Sequence, residues 1–148
     1  MQGVVDPELL VPKVLSAAYA VHTHLGPGLT EKVYEACLAQ ELRSQGVAFE
    51  VQVDMPVEYR GTQLGVGYRV DLLIEGVLIV ELKAVEVVLP LHYAQALTYL
   101  RLARRTLGLL INFNVPHLKE GIRRIVLNHP ENRQGGKGTP RGGEFLNR

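Results

Sequence analysis

Asp71, Glu81 and Lys83, in the stretch YRVDLLIEGVLIVELKAVE, are the residues whose types and spacing best suit chemistry. In a strand, Val77, Ile79, Glu81 and Lys83 share one face, and Leu78, Val80 and Leu82 share the other. Glu81 and Lys83 are therefore neighbours. The residues leading into Glu81 are almost all apolar or glycine, the pattern of an interior strand in which a carboxylate and an ammonium are costly without partners. Asp71 lies in a similar alternation one strand earlier, with Gly67, Arg69 and Leu73 on its face.

The turn between these strands decides whether the two acids meet. A two-residue turn at Glu75-Gly76 sets Ile74 opposite Val77 and sends the carboxylates to opposite faces. A three-residue loop or a bulge sets Asp71 across from Glu81, and Gly76 can supply the left-handed conformation such a loop requires. In that register Asp71, Glu81 and the Leu82 carbonyl offer hard oxygen ligands to one Mg²⁺ or Mn²⁺. Such an ion takes one or two carboxylates and keeps its other positions for water and phosphate. Lys83 would orient or help deprotonate the attacking water, or offset charge on the phosphate, and the reaction class is phosphodiester hydrolysis. A structural ion pair, Glu81 with Lys83 or Asp71 with Arg69, explains the local pattern equally well.

Other groups could join this centre. In Gly28-Leu29-Thr30-Glu31-Lys32-Val33-Tyr34, Glu31 and Tyr34 are three apart near a helix start, so Glu31 could add a third carboxylate. It could equally be an acid favoured by the helix dipole, with Tyr34 filling the core. His92, Gln95 and Tyr99 recur at i, i+3 and i+7 and line one helical stripe, able to contact a phosphate or base, or simply half-buried. His22 and His24 cannot face one ligand together, and Cys37 lies on an apolar stripe. Arg101, Arg104, Arg105, Lys119, Arg123 and Arg124 could form a local basic patch or a solvated face.

The elements that must position these residues follow from periodicity. Helical spacing runs from Val11 to Leu25, with Pro12 tolerable only near a first turn, and restarts from Val33 to Gly46 after Gly26-Pro27-Gly28. Short β-rich runs follow: Phe49 to Val53, Val57 to Tyr59, Val66 to Ile74 and Val77 to Leu82, punctuated by Pro56, Gly61 and Glu75-Gly76. Pro90 opens a third helix to about Arg104, and Leu107 to Ile111 reads as a strand joining an earlier one. Ile122 to Leu127 is a strand or a helix end. The order implies an α/β fold, a mixed β-sheet flanked by helices.

The chain has 148 residues, 47% hydrophobic and 21% charged, enough for one core. Residues 1–128 read as a single domain and 129–148 as a Gly-rich tail expected to be mobile. The single cysteine excludes an intrachain disulfide framework and suits a reducing compartment. No apolar run approaches the roughly 20 residues of a membrane span, and MQGVVDPELLVPK lacks the basic and apolar regions of a signal peptide, so a cytoplasmic location is expected. A net charge of +1 is too small for a passive nucleic-acid coat; a polyanion would be held by a local patch or through metal.

Taken together, the motifs LGPGLTEKVYEACLAQEL, YRVDLLIEGVLIVELKAVE, PLHYAQALTYL and LGLLINFNVPHLKEGIRRIV resemble the GxxExxY proteins, a bacterial group of the PD-(D/E)XK nuclease superfamily, from about His24 to Val126. The resemblance implies the restriction-endonuclease-like core, with Asp71, Glu81 and Lys83 as the D…(E/D)xK residues. It places Glu31 and Tyr34 in the helix motif, and Gln95 and Tyr99 in a QxxxY element. The function it implies is a Mg²⁺- or Mn²⁺-dependent nuclease acting on nucleic acid, DNA above all, in repair or in defence against foreign DNA. Glu31, Asp71, Glu81 and the Leu82 carbonyl would hold metal; Tyr34, Arg69, His92, Gln95 and Tyr99 would position substrate. A homodimer is one way for so small a chain to grip a duplex. The rival reading is a non-enzymatic nucleic-acid- or protein-binding accessory module that keeps the fold. A hydrolase of small phosphate esters is a third.

Overall fold

The computed structural model describes residues 5–130. The first helix, α1 (Pro7–Leu25), begins four residues before the expected start. Asp6 accepts a hydrogen bond from Glu8 N at 3.0 Å, and Pro7 occupies the first turn, where an N–H would have no partner. Pro12 consequently lies inside the helix, whose buried stripe of Leu10, Val14, Ala17, Ala18 and Val21 holds it in place. The second helix, α2 (Glu31–Ser44), packs against α1 and buries Tyr34, Leu38, Ala39 and Leu42.

The sheet has five strands in sequence order: β1 (Phe49–Tyr59), β2 (Thr62–Ile74), β3 (Leu78–Lys83), β4 (Leu107–Asn112) and β5 (Ile122–Val126). All neighbours pair antiparallel except β3 and β4, which are parallel and joined by α3 (Pro90–Ala103). Two runs expected as separate strands are one: Pro56 shifts the register with β2 without ending β1, because β1 is an edge strand where a missing N–H is tolerated. The undecided run near Ile122 is the opposite edge strand, β5.

Two apolar layers cover the sheet. Leu72, Ile74, Leu78, Val80 and Leu82 join the core under α1 and α2, while Val70, Ile79 and Leu110 join Tyr93, Ala96 and Leu100 of α3. Along β2, Val70 and Leu72 have the same parity yet enter different layers. Along β1, Phe49 packs on the first layer and Val53 on the second. Both strands therefore change sides between these residues, at Gln52 and Asp71, and the expected common face of Arg69, Asp71 and Leu73 does not form.

His129, assigned by composition to the tail, belongs to the fold. Its Nε2 lies 2.8 Å from Glu8 Oε2 and its Nδ1 2.8 Å from Thr106 Oγ1. Arg124 also grips Glu8, and its hydrogen bonds hold that carboxyl at about 2, well below the usual range. The expected mobility of the tail beyond Pro130 concerns residues outside those described.

Tyr34 shows how local sequence fixes the path into α2. Its ring is fully buried and stacks on Phe113 with centroids 4.4 Å apart. Its hydroxyl donates to Gly26 O at 2.6 Å and accepts from Leu29 N at 3.2 Å, closing the loop in which Gly28 has φ of 102°. We expect Tyr34→Phe to lower stability by about 1–2 kcal/mol in urea unfolding, because the Gly26 carbonyl and the Leu29 amide lose the hydroxyl that ties them together. An unchanged midpoint would show that the hydroxyl does not hold this loop.

Candidate active site

The loop after β2 resolves the question of register. Val77 N donates to Ile74 O at 2.9 Å around Glu75 and Gly76, both with positive φ, 51° and 71°. Yet the strand pairs are Ile74 with Leu78, Leu73 with Ile79 and Leu72 with Val80. Val77 is thus the extra residue, a bulge that compensates the tight turn. The same count carried one step further sets Asp71 across from Glu81.

At that step the backbone ladder stops and the carboxylates replace it. Asp71 N donates to Glu81 Oε1 at 2.7 Å, and Leu82 N donates to Asp71 Oδ2 at 2.7 Å. Each acid therefore bonds to the backbone of the other's strand, or to a residue beside it, across a fork between β2 and β3. Glu81 is only 5% exposed. Burial first, and then the Asp71 carboxylate, push its carboxyl up to about 8, against the opposing pull of the Asp71 amide and Lys83. Burial raises Asp71 too, while the Leu82 amide, Gln52 and Lys83 lower it. Lys83 is half-buried and acts on both acids through space; among the described residues it makes no direct ion pair with either.

The α3 stripe faces this fork. Tyr99 is pushed up to about 12 by burial, then by Glu81 and Asp71, so it stays a neutral phenol. The His92 ring accepts from Leu89 N at Nδ1, 3.0 Å away, which leaves the proton of a neutral ring on Nε2. Burial and then Lys83 lower its pKa, which favours that neutral form. Gln95, half-buried, lies between them on the helix.

Three sequence expectations come out differently. Tyr34 is enclosed in the core with its hydroxyl spent on the loop, so it aims α2 rather than touching a ligand. Arg69 pairs with Asp54 at 2.9 Å on an exposed edge, because the strand changes sides at Asp71. Glu31 acts on Glu81 and His92 from a distance. Among the described residues, no three His, Cys, Asp or Glu side chains are grouped closely enough to hold a metal ion. The donor set that does assemble is the pair Asp71 and Glu81. A buried and a half-buried carboxylate, both of raised pKa, are chemically suited to a hard divalent cation, with water completing its shell.

Several residues of the site escaped sequence reading. Gln52 Nε2 donates to Glu35 Oε2 at 2.7 Å and to Asp71 Oδ1 at 3.3 Å. Glu35 is one helical turn beyond Glu31, a spacing that could have drawn notice. Asn112, buried at the end of an otherwise apolar strand, accepts from Val85 N and donates to Val85 O, fixing the chain as it leaves Lys83. A polar residue closing the run LGLLIN was the available signal. Tyr68 stands 5.4 Å from Tyr99, centroid to centroid, and is 41% exposed. The basic patch expected of the arginines is partly spent on structure: Arg105 Nε donates to Gly76 O at 2.6 Å, and Arg124 binds Glu8.

Among the described residues no helix is long and apolar enough to cross a membrane. No curated protein and no solved structure matches the chain. A family model described as the PD-(D/E)XK nuclease superfamily matches residues 8–125, a span that takes in α1 to α3, the fork and nearly all of β5. A mixed five-stranded sheet flanked by helices agrees with that match. The chain belongs to the PD-(D/E)XK nuclease superfamily.

Proposed function

We propose that this protein is a Mg²⁺- or Mn²⁺-dependent nuclease that hydrolyses phosphodiester bonds in DNA, in repair or in defence against foreign DNA, and that it is a member of the GxxExxY group. The superfamily typically hydrolyses such bonds and generally uses divalent metals. The observation that carries the reading is the fork: Asp71 and Glu81 meet across β2 and β3 with Lys83 beside them. An isolated ion pair would not need a half-buried Asp71 set against a buried Glu81. Like charges forced together in a dry site raise free energy unless something positive relieves them.

Asp71 and Glu81 would hold the cation, with the Leu82 carbonyl as a third oxygen donor and Glu31 acting at longer range. The bound cation would lower the pKa of water and offset charge developing on phosphate. Lys83 orients the attacking water and faces the phosphate oxygens. His92, with its proton on Nε2, and the neutral hydroxyl of Tyr99 offer hydrogen-bond donors along α3, and Gln95 adds an amide between them. A second copy of the chain would extend the grip on a duplex.

Labelled single- and double-stranded DNA and RNA, incubated with Mg²⁺ or Mn²⁺, test the reading. We expect cleavage of DNA by the wild type and losses of about 10²–10⁴-fold in kcat for Glu81→Gln and Lys83→Ala. Equal rates in all three proteins would contradict it. Binding without turnover would favour the accessory-module reading.

The raised Glu81 carboxyl also sets a pH dependence. A carboxyl at 4.5 when unfolded and about 8 when folded binds its proton more tightly in the fold. The stability it contributes is complete below pH 4.5 and is lost as pH rises towards 8. Glu81→Gln, uncharged throughout, should therefore gain on the metal-free wild type as pH rises from 5 to 8, by up to about 1.4 kcal/mol per unit. A gap that stays constant in denaturant titrations over this range would refute the assignment.

A further inference from the structure

Gln52 occupies the middle of β1 with φ of 52°, the left-handed region that a residue with a Cβ disfavours. This is the point at which β1 changes sides, and the register omits a pair between Gln52 and Asp71 although Val51–Leu72 and Val53–Val70 both form. The kink directs the Gln52 side chain between α2 and β2. There its amide nitrogen uses both hydrogens, one on Glu35 Oε2 and one on Asp71 Oδ1.

We propose that Gln52, anchored by Glu35, is a positioning residue that fixes the plane of the Asp71 carboxylate for divalent-cation binding. The proposal rests on the metal-dependent reading above. A carboxylate bonded through one oxygen can swing about that bond; Leu82 N holds Asp71 Oδ2, and Gln52 holds Oδ1, so together they set its plane. Gln52 itself is solvent-exposed, and a free glutamine there would sample many rotamers. Glu35 removes that freedom: it is half-buried on α2 and accepts the shorter of the two bonds. Strain held in a sparsely populated backbone region beside the paired acids Asp71 and Glu81 is the kind of cost that persists where geometry matters.

The test separates positioning from simple cross-linking of α2 to the sheet. Gln52→Gly and Gln52→Asn both suit a left-handed backbone, but neither can span from Glu35 to Asp71. In the full chain we expect both variants to melt at or above the wild-type temperature. Mn²⁺ affinity measured by calorimetry should fall about tenfold or more, and kcat with it, while KM for DNA stays unchanged. Glu35→Gln, which keeps an acceptor oxygen for the Gln52 amide, should stay close to wild type, and Glu35→Ala should resemble Gln52→Gly.

Wild-type Mn²⁺ affinity and kcat in Gln52→Gly, in an enzyme that Glu81→Gln inactivates, would overturn this inference alone. A fall in melting temperature that accounts for the loss would overturn it too, in favour of a cross-link. A wild type that neither binds Mn²⁺ nor cleaves DNA would overturn the metal-dependent reading, and this inference with it.

Discussion

When two paired strands part inside a protein, the amide hydrogens on their facing edges lose their partners, and an unsatisfied buried amide costs as much as a lost hydrogen bond. In this chain the parting of β2 and β3 is closed by two acids. Glu81 receives the Asp71 amide and Asp71 receives the Leu82 amide, each at 2.7 Å. The exchange satisfies the backbone and at the same time places two carboxylates in a poorly hydrated site. The same fork thus provides both local order and chemical tension, and the raised pKa of both acids is its electrostatic signature.

Much of the surrounding structure can be understood as support for that fork. The Val77 bulge sets the register that brings the acids together. Tyr34 closes the loop that aims α2, from which Glu31 and Glu35 approach. Asn112 fixes the chain beyond Lys83, and α3 presents His92, Gln95 and Tyr99. The wide contribution of separate elements explains why one acid and E-x-K alone are weak as a motif. Their chemistry depends on a strand register, a helix start and a crossover helix that lie far apart in the chain.

The sequence showed these parts unevenly, and physical range explains why. Helices and most strand runs are legible because their periodicity is local, whereas simple alternation puts Asp71 on one face with Arg69 and Leu73, an arrangement that the side change at Asp71 breaks. The apolar stripe alone does not mark the start of α1, which is set by Asp6 and Pro7, the residues that cap and open it. The side change in β1 and β2 was invisible because it depends on a left-handed residue in mid-strand, which Gln52 does not advertise. Arg69 was misplaced for the same reason, and His129 because composition cannot see a tertiary bond to Glu8. Residue types in the turn allow two registers, and they permit the observed combination of a tight turn and a bulge without requiring it.

The central claim is that the fork holds a divalent cation in exchange for a proton. Calorimetric titration of the wild type with Mn²⁺ at pH 7, in two buffers of different ionisation enthalpy, measures the protons released on binding. With Glu81 poised at about 8, most molecules carry a proton there that the cation must displace, so release of close to one proton per ion is expected. Asp71→Asn should abolish the binding. Absence of Mn²⁺ binding, or binding that releases no proton and persists in Asp71→Asn, would contradict the account.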